Sequence, residues 1–325
     1  MTSLLLQDKS TNKYSPTDEL NTLIHKYPQF PYFVMLKTDI QRRGIYYTQS
    51  ALEKADPTIH QMAGTHIFGT RDGILTHRPE AFMLRDGTSV LTTPTPLEQN
   101  PYIIDLRNDK LTLVDGQNEL EEIEYWTKPD FYNQKTKSGI PMNLIASARP
   151  QRIYIMPNRY CFFWSNKQNC LFCDIVNNLQ KQKKELHMPT RLDPDDVEET
   201  VKEALKQNGR FTAICLTSGS DYNGNNAFDR ETDYYIEILK AIGKNFKTKK
   251  FPSQLIATAF NSEQLGRLYE QTGILSYTPD IEVLNERLFN WLCPGKAHWV
   301  GYKEWKKRLK DAVPIFGRGY VNTCI

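Results

Sequence analysis

No apolar run in the 325-residue chain approaches the length of a bilayer span. The Leu4-Leu5-Leu6 triplet is too short for the apolar centre of a secretion signal, and no basic residue precedes it. Neither sign of charge is in excess: 41 basic and 38 acidic residues leave a formal charge of +3, evenly mixed, which argues against a nucleic-acid surface. The basic stretch with Lys181, Lys183 and Lys184 reads as a solvated helix face. Cysteine is scarce, with six in the whole chain, so a disulfide scaffold is excluded. These absences predict a cytoplasmic protein with no membrane or nucleic-acid partner. The length allows one large domain or two ordinary ones, and two fit better.

Three of the six cysteines nevertheless fall within thirteen positions, in Cys161-Phe-Phe-Trp-Ser-Asn-Lys-Gln-Asn-Cys170-Leu-Phe-Cys173. A single loop can turn three such thiolates inward, and thiolates are soft ligands for zinc or for iron-sulfur clusters. The number three is informative. A closed structural zinc site takes four ligands, and the nearest later histidine, His187, lies beyond a lysine-rich helical stretch. A cubane with three protein ligands leaves one iron open for chemistry. By itself the C-x8-C-x2-C spacing fits a cluster and a zinc site equally well.

Residues 1–125 predict an accessory domain rich in β-hairpins, with some helix before residue 40. The turn signals are Arg71-Asp-Gly73, Arg85-Asp-Gly87 and Val114-Asp-Gly116, set between short apolar runs such as Phe82-Met83-Leu84 and Tyr102-Ile103-Ile104. Gly64-Thr-His66-Ile-Phe-Gly69 is similar to the D-x-H-x-x-G signature of cobalamin-binding domains, but Gly64 stands in place of the Asp and the surroundings read as hairpins. His66 is therefore read as an ordinary histidine. Residues 126–150 read as a polar, turn-rich connector.

From 151 to 325 short apolar runs alternate with amphipathic stretches of ten to fifteen residues. Tyr154-Ile-Met156, Ala213–Leu216, Leu255–Ala259 and Ile274–Tyr277 read as strands. Between them lie predicted helices, one opened by Asp193 as N-cap with Pro194 at its first position, others over Tyr234–Ile242 and Ser262–Thr272. Such alternation predicts parallel βα units, which curl into a full or partial barrel with its chemistry at the C-terminal strand ends. Thr217-Ser218-Gly219-Ser220 and Asp280-Ile-Glu282-Val-Leu-Asn285 fall at two of those ends. Cys215, Cys293 and Cys324 stand alone and read as small buried hydrophobes. Among seventeen tyrosines, Tyr222 and Tyr277 offer no argument for a relay.

Over residues 150–325 the chain resembles the radical S-adenosylmethionine enzymes, in which three cysteines after the first barrel strand hold a [4Fe-4S] cluster. The cysteine loop carries the likeness, together with Phe172 between its last two cysteines. The first gap departs from the family, with eight residues where three are common. The resemblance implies that Cys161, Cys170 and Cys173 hold the cluster and that Phe172 lies against the adenine. It also implies that Thr217, Ser218, Gly219 and Ser220 bind the amino group of S-adenosyl-L-methionine, and that Glu282, with Asn285, meets the ribose. At 217–220 serines replace a glycine and the usual acidic residue, with Asp221 one step later. Trp291-Leu-Cys293-Pro-Gly-Lys296 is similar to a stretch of the biotin-synthase-like branch. The implied fold is an α/β partial barrel behind a small β-rich N-terminal domain. The implied activity is reductive cleavage of adenosylmethionine and hydrogen abstraction from a substrate that the sequence does not identify, fed by a flavodoxin or ferredoxin. The last apolar stretch resembles a fifth barrel strand where the family usually continues, so a shortened barrel, or one completed by a partner, is expected. The rival readings are a zinc-binding interaction protein and an electron-transfer protein with a fully ligated cluster.

Overall fold

The computed structural model describes residues 16–55, 79 and 81–325, which fall into two units meeting in sequence at Thr127 and Lys128. The Arg71-Asp-Gly73 turn and the 64–69 stretch with His66 lie outside the described residues. Among the described residues no helix is long and apolar enough to cross a membrane.

The first unit holds the expected hairpins and more. Helices α1 (Pro16–Lys26), α2 (Tyr32–Arg43) and α3 (Gln49–Glu53) accompany seven strands: β1 (Ile45–Tyr47), β2 (Ala81–Met83), β3 (Ser89–Leu91), β4 (Tyr102–Arg107), β5 (Lys110–Asp115), β6 (Asn118–Glu122) and β7 (Glu124–Tyr125). Asn108 and Asp109 both take positive φ in the tight turn from β4 to β5, as a two-residue hairpin loop requires. Gly87 and Gly116 do the same in two of the three Asp-Gly turns read from the sequence. The sheets run β1-β4-β5-β6 and β3-β2-β7. The pairing of β1 with β4 is parallel, which no hairpin makes. Leu36 and Ile40 of α2 share the core with Phe82, Tyr102, Ile104 and Leu113 of the strands, so this unit is mixed α/β and not purely hairpins. Arg43 donates two hydrogen bonds to Asp115, at 2.8 and 3.1 Å, and its guanidinium lies over the Tyr102 ring. The Tyr102 hydroxyl donates to Asp39.

In the second unit the alternating pattern folds as βα units around one sheet, in the order β8-β9-β10-β11-β12. The strands are β8 (Ala146–Arg149), β9 (Arg152–Ile155), β10 (Ala213–Thr217), β11 (Ser253–Ile256) and β12 (Ser276–Thr278), and the last four pair in parallel. β8 returns antiparallel to β9, so the stretch read as connector ends in a strand. Short helices α4 (Met142–Ile145) and α5 (Phe162–Ser165) flank this hairpin. They are followed by α6 (Ile175–Leu186), α7 (Pro194–Ala204), α8 (Asp229–Gly243) and α9 (Ser262–Gln271). Asp193 caps α7 by accepting the Asp195 N–H, with Pro194 at the first helical position. Asn261 and Gln264 form a reciprocal capping box on α9. α8 buries Tyr235, Ile236, Ile238, Leu239 and Ile242. Each large side chain so buried contributes about 1.5–3 kcal/mol, which fixes the helix face toward the core.

After β12 come α10 (Glu286–Leu292), α11 (Pro294–Trp299) and α12 (Tyr302–Phe316). The chain then lies beside β12: Val321 bridges Tyr277 in parallel, the Tyr277 N–H donates to the Tyr320 carbonyl, and the Glu282 N–H donates to the Cys324 carbonyl. The expected fifth strand is thus an extended segment with an isolated bridge. Parallel strands β9 to β12 thus stand in sequential order, with helices between them, in one α/β sheet whose edge strands β8 and β12 are not paired to each other.

Candidate functional site

The C-terminal ends of β9, β10, β11 and β12 open into a cavity of about 160 Å³. Cys161, Cys170 and Cys173 line one side of it, with Phe172 between them. Thr217, Ser218, Gly219 and Ser220 line the floor beside Thr258, and Asp280, Glu282 and Lys296 line the part next to Cys170. The residues that sequence reasoning assigns to one site therefore face one space, except Asn285. Its side chain accepts the Leu288 N–H as the N-cap of α10, and it does not line the cavity. His187 closes α6 in a left-handed conformation and is exposed, away from the cavity.

Backbone pairing brings the cysteine loop onto the strand ends. Asn158 follows β9, and its amide donates to the carbonyls of Tyr160 (2.9 Å) and Gly219 (3.1 Å). The Phe162 N–H donates to the Ser220 carbonyl at 2.7 Å. Gly219 has to be glycine here: a Cβ would stand 2.4 Å from the Tyr160 carbonyl oxygen and 2.7 Å from the Cys161 Cβ. The far end of the loop is fastened to the segment after β12. The Leu171 N–H donates to the Leu292 carbonyl, the Gly295 N–H donates to the Gln168 carbonyl, and the Trp299 indole donates to the Gln168 side chain.

Each thiol sits among donors. Burial pushes the Cys161 thiol up to about 12, opposed by the N–H groups of Phe163 and Ser220 and reinforced by the neighbouring Cys173 and Cys170. Burial also raises Cys173, against the Ile175 N–H and the Trp164 side chain. Among the described residues the buried Trp164 indole N–H makes no other hydrogen bond, so a thiolate at Cys173 is the acceptor within its reach. Cys170 is lowered, first by a hydrogen bond from Cys293, then, after the opposing effect of burial, by the charge of Lys296. Cys293 is correspondingly raised, since its thiol is the donor. The sequence presents Cys293 as a lone hydrophobe. It is buried, but as the partner of Cys170. Cys215 is buried within β10, and Cys324 is exposed, contrary to the reading of all three as buried.

Donors aimed at sulfur are what a thiolate-bound cluster uses to hold its charge, so the residues present fit such a group. Among the described residues no three His, Cys, Asp or Glu side chains are gathered closely enough to hold a single metal ion. The three thiols line a cavity and do not converge on a point.

Glu282, the carboxyl expected at the ligand, and Asp221, which follows the strand-end motif, are both already engaged. Glu282, at φ +68°, accepts from Lys296 at 2.6 Å, and Lys296 also donates to the Asp280 carbonyl. Burial works against the Lys296 proton, but the charge and hydrogen bond of Glu282 together with the charges of Cys170 and Cys293 outweigh it, and the pKa rises. Asp221, the acid one step beyond Ser220, turns away from the cavity lining and is held by Arg230, Arg191 and Asn223. Burial would raise its pKa, yet the hydrogen bonds of Arg230 and Asn223 hold it at about 2. A carboxyl that the sequence does not single out, Glu231 of α8, reaches under the same strand end. Its Oε2 accepts from the Asp221 N–H at 2.8 Å and from the Thr258 hydroxyl at 3.1 Å.

No family model matches the chain, and no curated protein matches it. Among solved structures, the chain is similar to HydG, whose crystal structure is described as that of a maturase of the [FeFe]-hydrogenase. The TM-score is 0.36 at 16% identity over 51% of this chain and 33% of that one. It is also similar to methylornithine synthase (PylB), with a TM-score of 0.36 at 16% identity over 57% of this chain and 51% of that one. The chain thus spans about a third and about half of the lengths of these two structures.

Proposed function

We propose that the second unit is a radical S-adenosylmethionine enzyme, with Cys161, Cys170 and Cys173 holding a [4Fe-4S] cluster. The observation that carries this reading is the donor array. Three thiols on one loop face one cavity at parallel strand ends, and each is met by N–H, indole or thiol donors that suit a thiolate. When bound, the cluster would supply the electron that cleaves adenosylmethionine reductively. The protein's own part is positioning. Gly219 lets the loop approach the strand end, and Ser218 accepts the Asn158 N–H, which keeps its side chain at the cavity floor. Lys296 neutralises Glu282 and lies beside Cys170, offsetting the negative charge gathered there. Phe172, with 58% of its surface exposed, is the apolar face that can stack on a purine at the mouth. The electron donor of this reading is a flavodoxin or ferredoxin.

Anaerobic reconstitution with iron and sulfide, followed by electron paramagnetic resonance with and without adenosylmethionine, tests the reading. The expected result is a [4Fe-4S]+ signal that shifts when adenosylmethionine is added. The triple variant Cys161→Ala, Cys170→Ala, Cys173→Ala should assemble no cluster. Full iron and sulfide in that variant, or stoichiometric zinc in place of iron in the wild type, would overturn the proposal.

A further inference from the structure

The cavity floor has a buried hydroxyl chain behind it that the proposed function does not use. Ser220 Oγ lies 2.7 Å from Thr258 Oγ1, and both residues line the cavity. Thr258 Oγ1 lies 3.1 Å from Glu231 Oε2, and the Thr258 N–H points at the other carboxyl oxygen. Glu231 is 4% exposed and does not line the cavity. Among the described residues no lysine, arginine or histidine pairs with it, because the two nearby arginines, Arg230 and Arg191, are taken by Asp221. A residue after β10, one after β11 and one on α8 thus form a line from a buried carboxyl to the ligand space.

Hydrogen counting fixes what this line can do. A hydroxyl has one proton to give. When Glu231 is ionised, the Thr258 proton is committed to the carboxylate. The short Thr258–Ser220 contact must then use the Ser220 proton, and Ser220 shows the cavity only lone pairs. When Glu231 is protonated, its proton goes to Thr258, the Thr258 proton turns to Ser220, and the Ser220 proton is released toward the cavity. One proton on Glu231 converts Ser220 from acceptor to donor without any atom moving far.

We propose that Glu231 is a positioning residue which, through Thr258, sets the polarity of the Ser220 hydroxyl, so that this corner takes the amino group of an amino-acid-type ligand only while Glu231 is ionised. The inference rests on the proposed function, in which that ligand is adenosylmethionine. An ammonium needs an acceptor and is repelled by an O–H directed at it. The surroundings place the switch in a usable range. Burial pushes the Glu231 carboxyl up to about 8, opposed by the Asp221 N–H and the Thr258 donors and reinforced by the Asp221 charge. The other titratable or charged groups facing this corner are Tyr235 on α8, Tyr277 on β12, whose hydroxyl donates to the Thr258 carbonyl, and Arg308 on α12, which donates to the Ala259 carbonyl. Burial holds both tyrosines well above their ordinary value, so Glu231 is the group at this corner that titrates near neutrality.

The test is the affinity of the reconstituted full chain for adenosylmethionine as a function of pH, in the wild type and in Ser220→Ala. The ratio of the two affinities cancels the ligand's own titration. The ratio should rise roughly tenfold between about pH 6 and 9, the size expected for one hydrogen bond to a charged group. In Glu231→Gln the amide oxygen takes the Oε2 position, where two donors point, so the chain keeps one polarity and the step disappears. Thr258→Val removes the middle link, leaves Glu231 and Ser220 in place, and should abolish the step as well. A wild type that binds adenosylmethionine with a flat ratio overturns the relay and leaves the proposed function standing. Absence of any binding counts against the proposed function instead, and the relay is then judged by infrared difference spectra of wild type minus Glu231→Gln. A carboxylic-acid band that disappears with rising pH and changes frequency in Thr258→Val supports the relay. A carboxylate throughout, or a band indifferent to Thr258, overturns it.

Discussion

Gly219→Ala tests the junction of loop and strand end, because the added methyl collides with backbone. The new carbon would lie 2.4 Å from the Tyr160 carbonyl oxygen, 2.7 Å from the Tyr160 carbonyl carbon and 2.7 Å from the Cys161 Cβ. Ordinary contact begins near 3.5 Å, so the residues that carry Cys161 must move by about 1 Å. Overpacking of this kind costs about 1–3 kcal/mol, and the displacement falls on a residue assigned to the cluster. Gly266→Ala is the matched control. Gly266 lies inside α9, and an added methyl there would meet nothing within 4 Å, so alanine should stabilise by up to about 1 kcal/mol. Urea unfolding gives the stability, and iron and sulfide per chain after reconstitution give the site. Gly219→Ala should lose in both measurements and Gly266→Ala in neither. Wild-type stability together with full iron in Gly219→Ala would refute the close approach. Lost stability with full iron would detach the strand end from the cluster site.

In the first unit, Asp115→Ala leaves the buried Arg43 guanidinium with the more distant Asp39 as its counter-charge among the described residues, and should cost about 3 kcal/mol in chemical denaturation; a loss under about 1 kcal/mol would mean that the pair is not buried in solution. Cys293→Ala removes the donor to Cys170, so in the cluster-free protein alkylation of Cys170 near neutral pH, followed by mass spectrometry, should slow; an unchanged rate refutes the thiol–thiol contact. Stability should depend on pH with opposite signs at one strand end. Asp221 is lowered in the folded state, so its roughly 2 kcal/mol is present above about pH 4 and is lost as pH falls through about 2. Glu231 is raised, so the folded state binds the extra proton and stability falls as pH rises from the ordinary carboxyl value toward about 8. Melting temperatures across that range should decline in the wild type and stay level in Glu231→Gln, and parallel curves would refute the raised carboxyl.

Local signals in the sequence carry the second unit well. Asp193-Pro194 marks a helix start that needs no tertiary context, and the apolar strand Ala213–Thr217 ends where its motif begins. The three cysteines stand close in sequence, so their shared loop is legible. Residues joined only by parallel pairing are not. Thr217 lies opposite Ile256 across β10 and β11, and that register alone brings Thr258 beside Ser220. Glu231 comes to the same point from the first turn of α8, where it looks like an ordinary acidic residue at a helix N-terminus. Cys293 meets Cys170 across a gap of more than a hundred residues, and only the Trp291–Lys296 stretch, noted for its likeness, marks the place. β8 escapes notice because four residues, Ala146-Ser-Ala-Arg149, are too few to display an alternation. The parallel pairing of β1 with β4 spans more than fifty residues that include the whole first hairpin, so no turn signal announces it.

Asp221 and Glu231 show how one strand end keeps two buried carboxyls without conflict. Among the described residues two arginines pair with Asp221 and none with Glu231, so one charge is fixed and the other group is left free to gain or lose its proton. Had both been paired, the end of β10 would hold two fixed ion pairs and Ser220 a single polarity. Had neither been paired, their mutual repulsion would have raised both. A third option, an apolar residue at 231, would pack without the desolvation that an uncompensated carboxyl suffers. The Asp221 and Thr258 N–H groups would then lack their acceptor, so a backbone requirement stands behind the carboxyl as well as a ligand-facing one. Glutamine meets the backbone requirement in part: with its amide oxygen at the Oε2 position the Asp221 N–H keeps its acceptor, while the amide nitrogen stands where the Thr258 N–H had Oε1. It does not meet the ligand-facing one at all, because glutamine cannot change its charge, so the amide variant removes the titration while the stronger backbone bond stays.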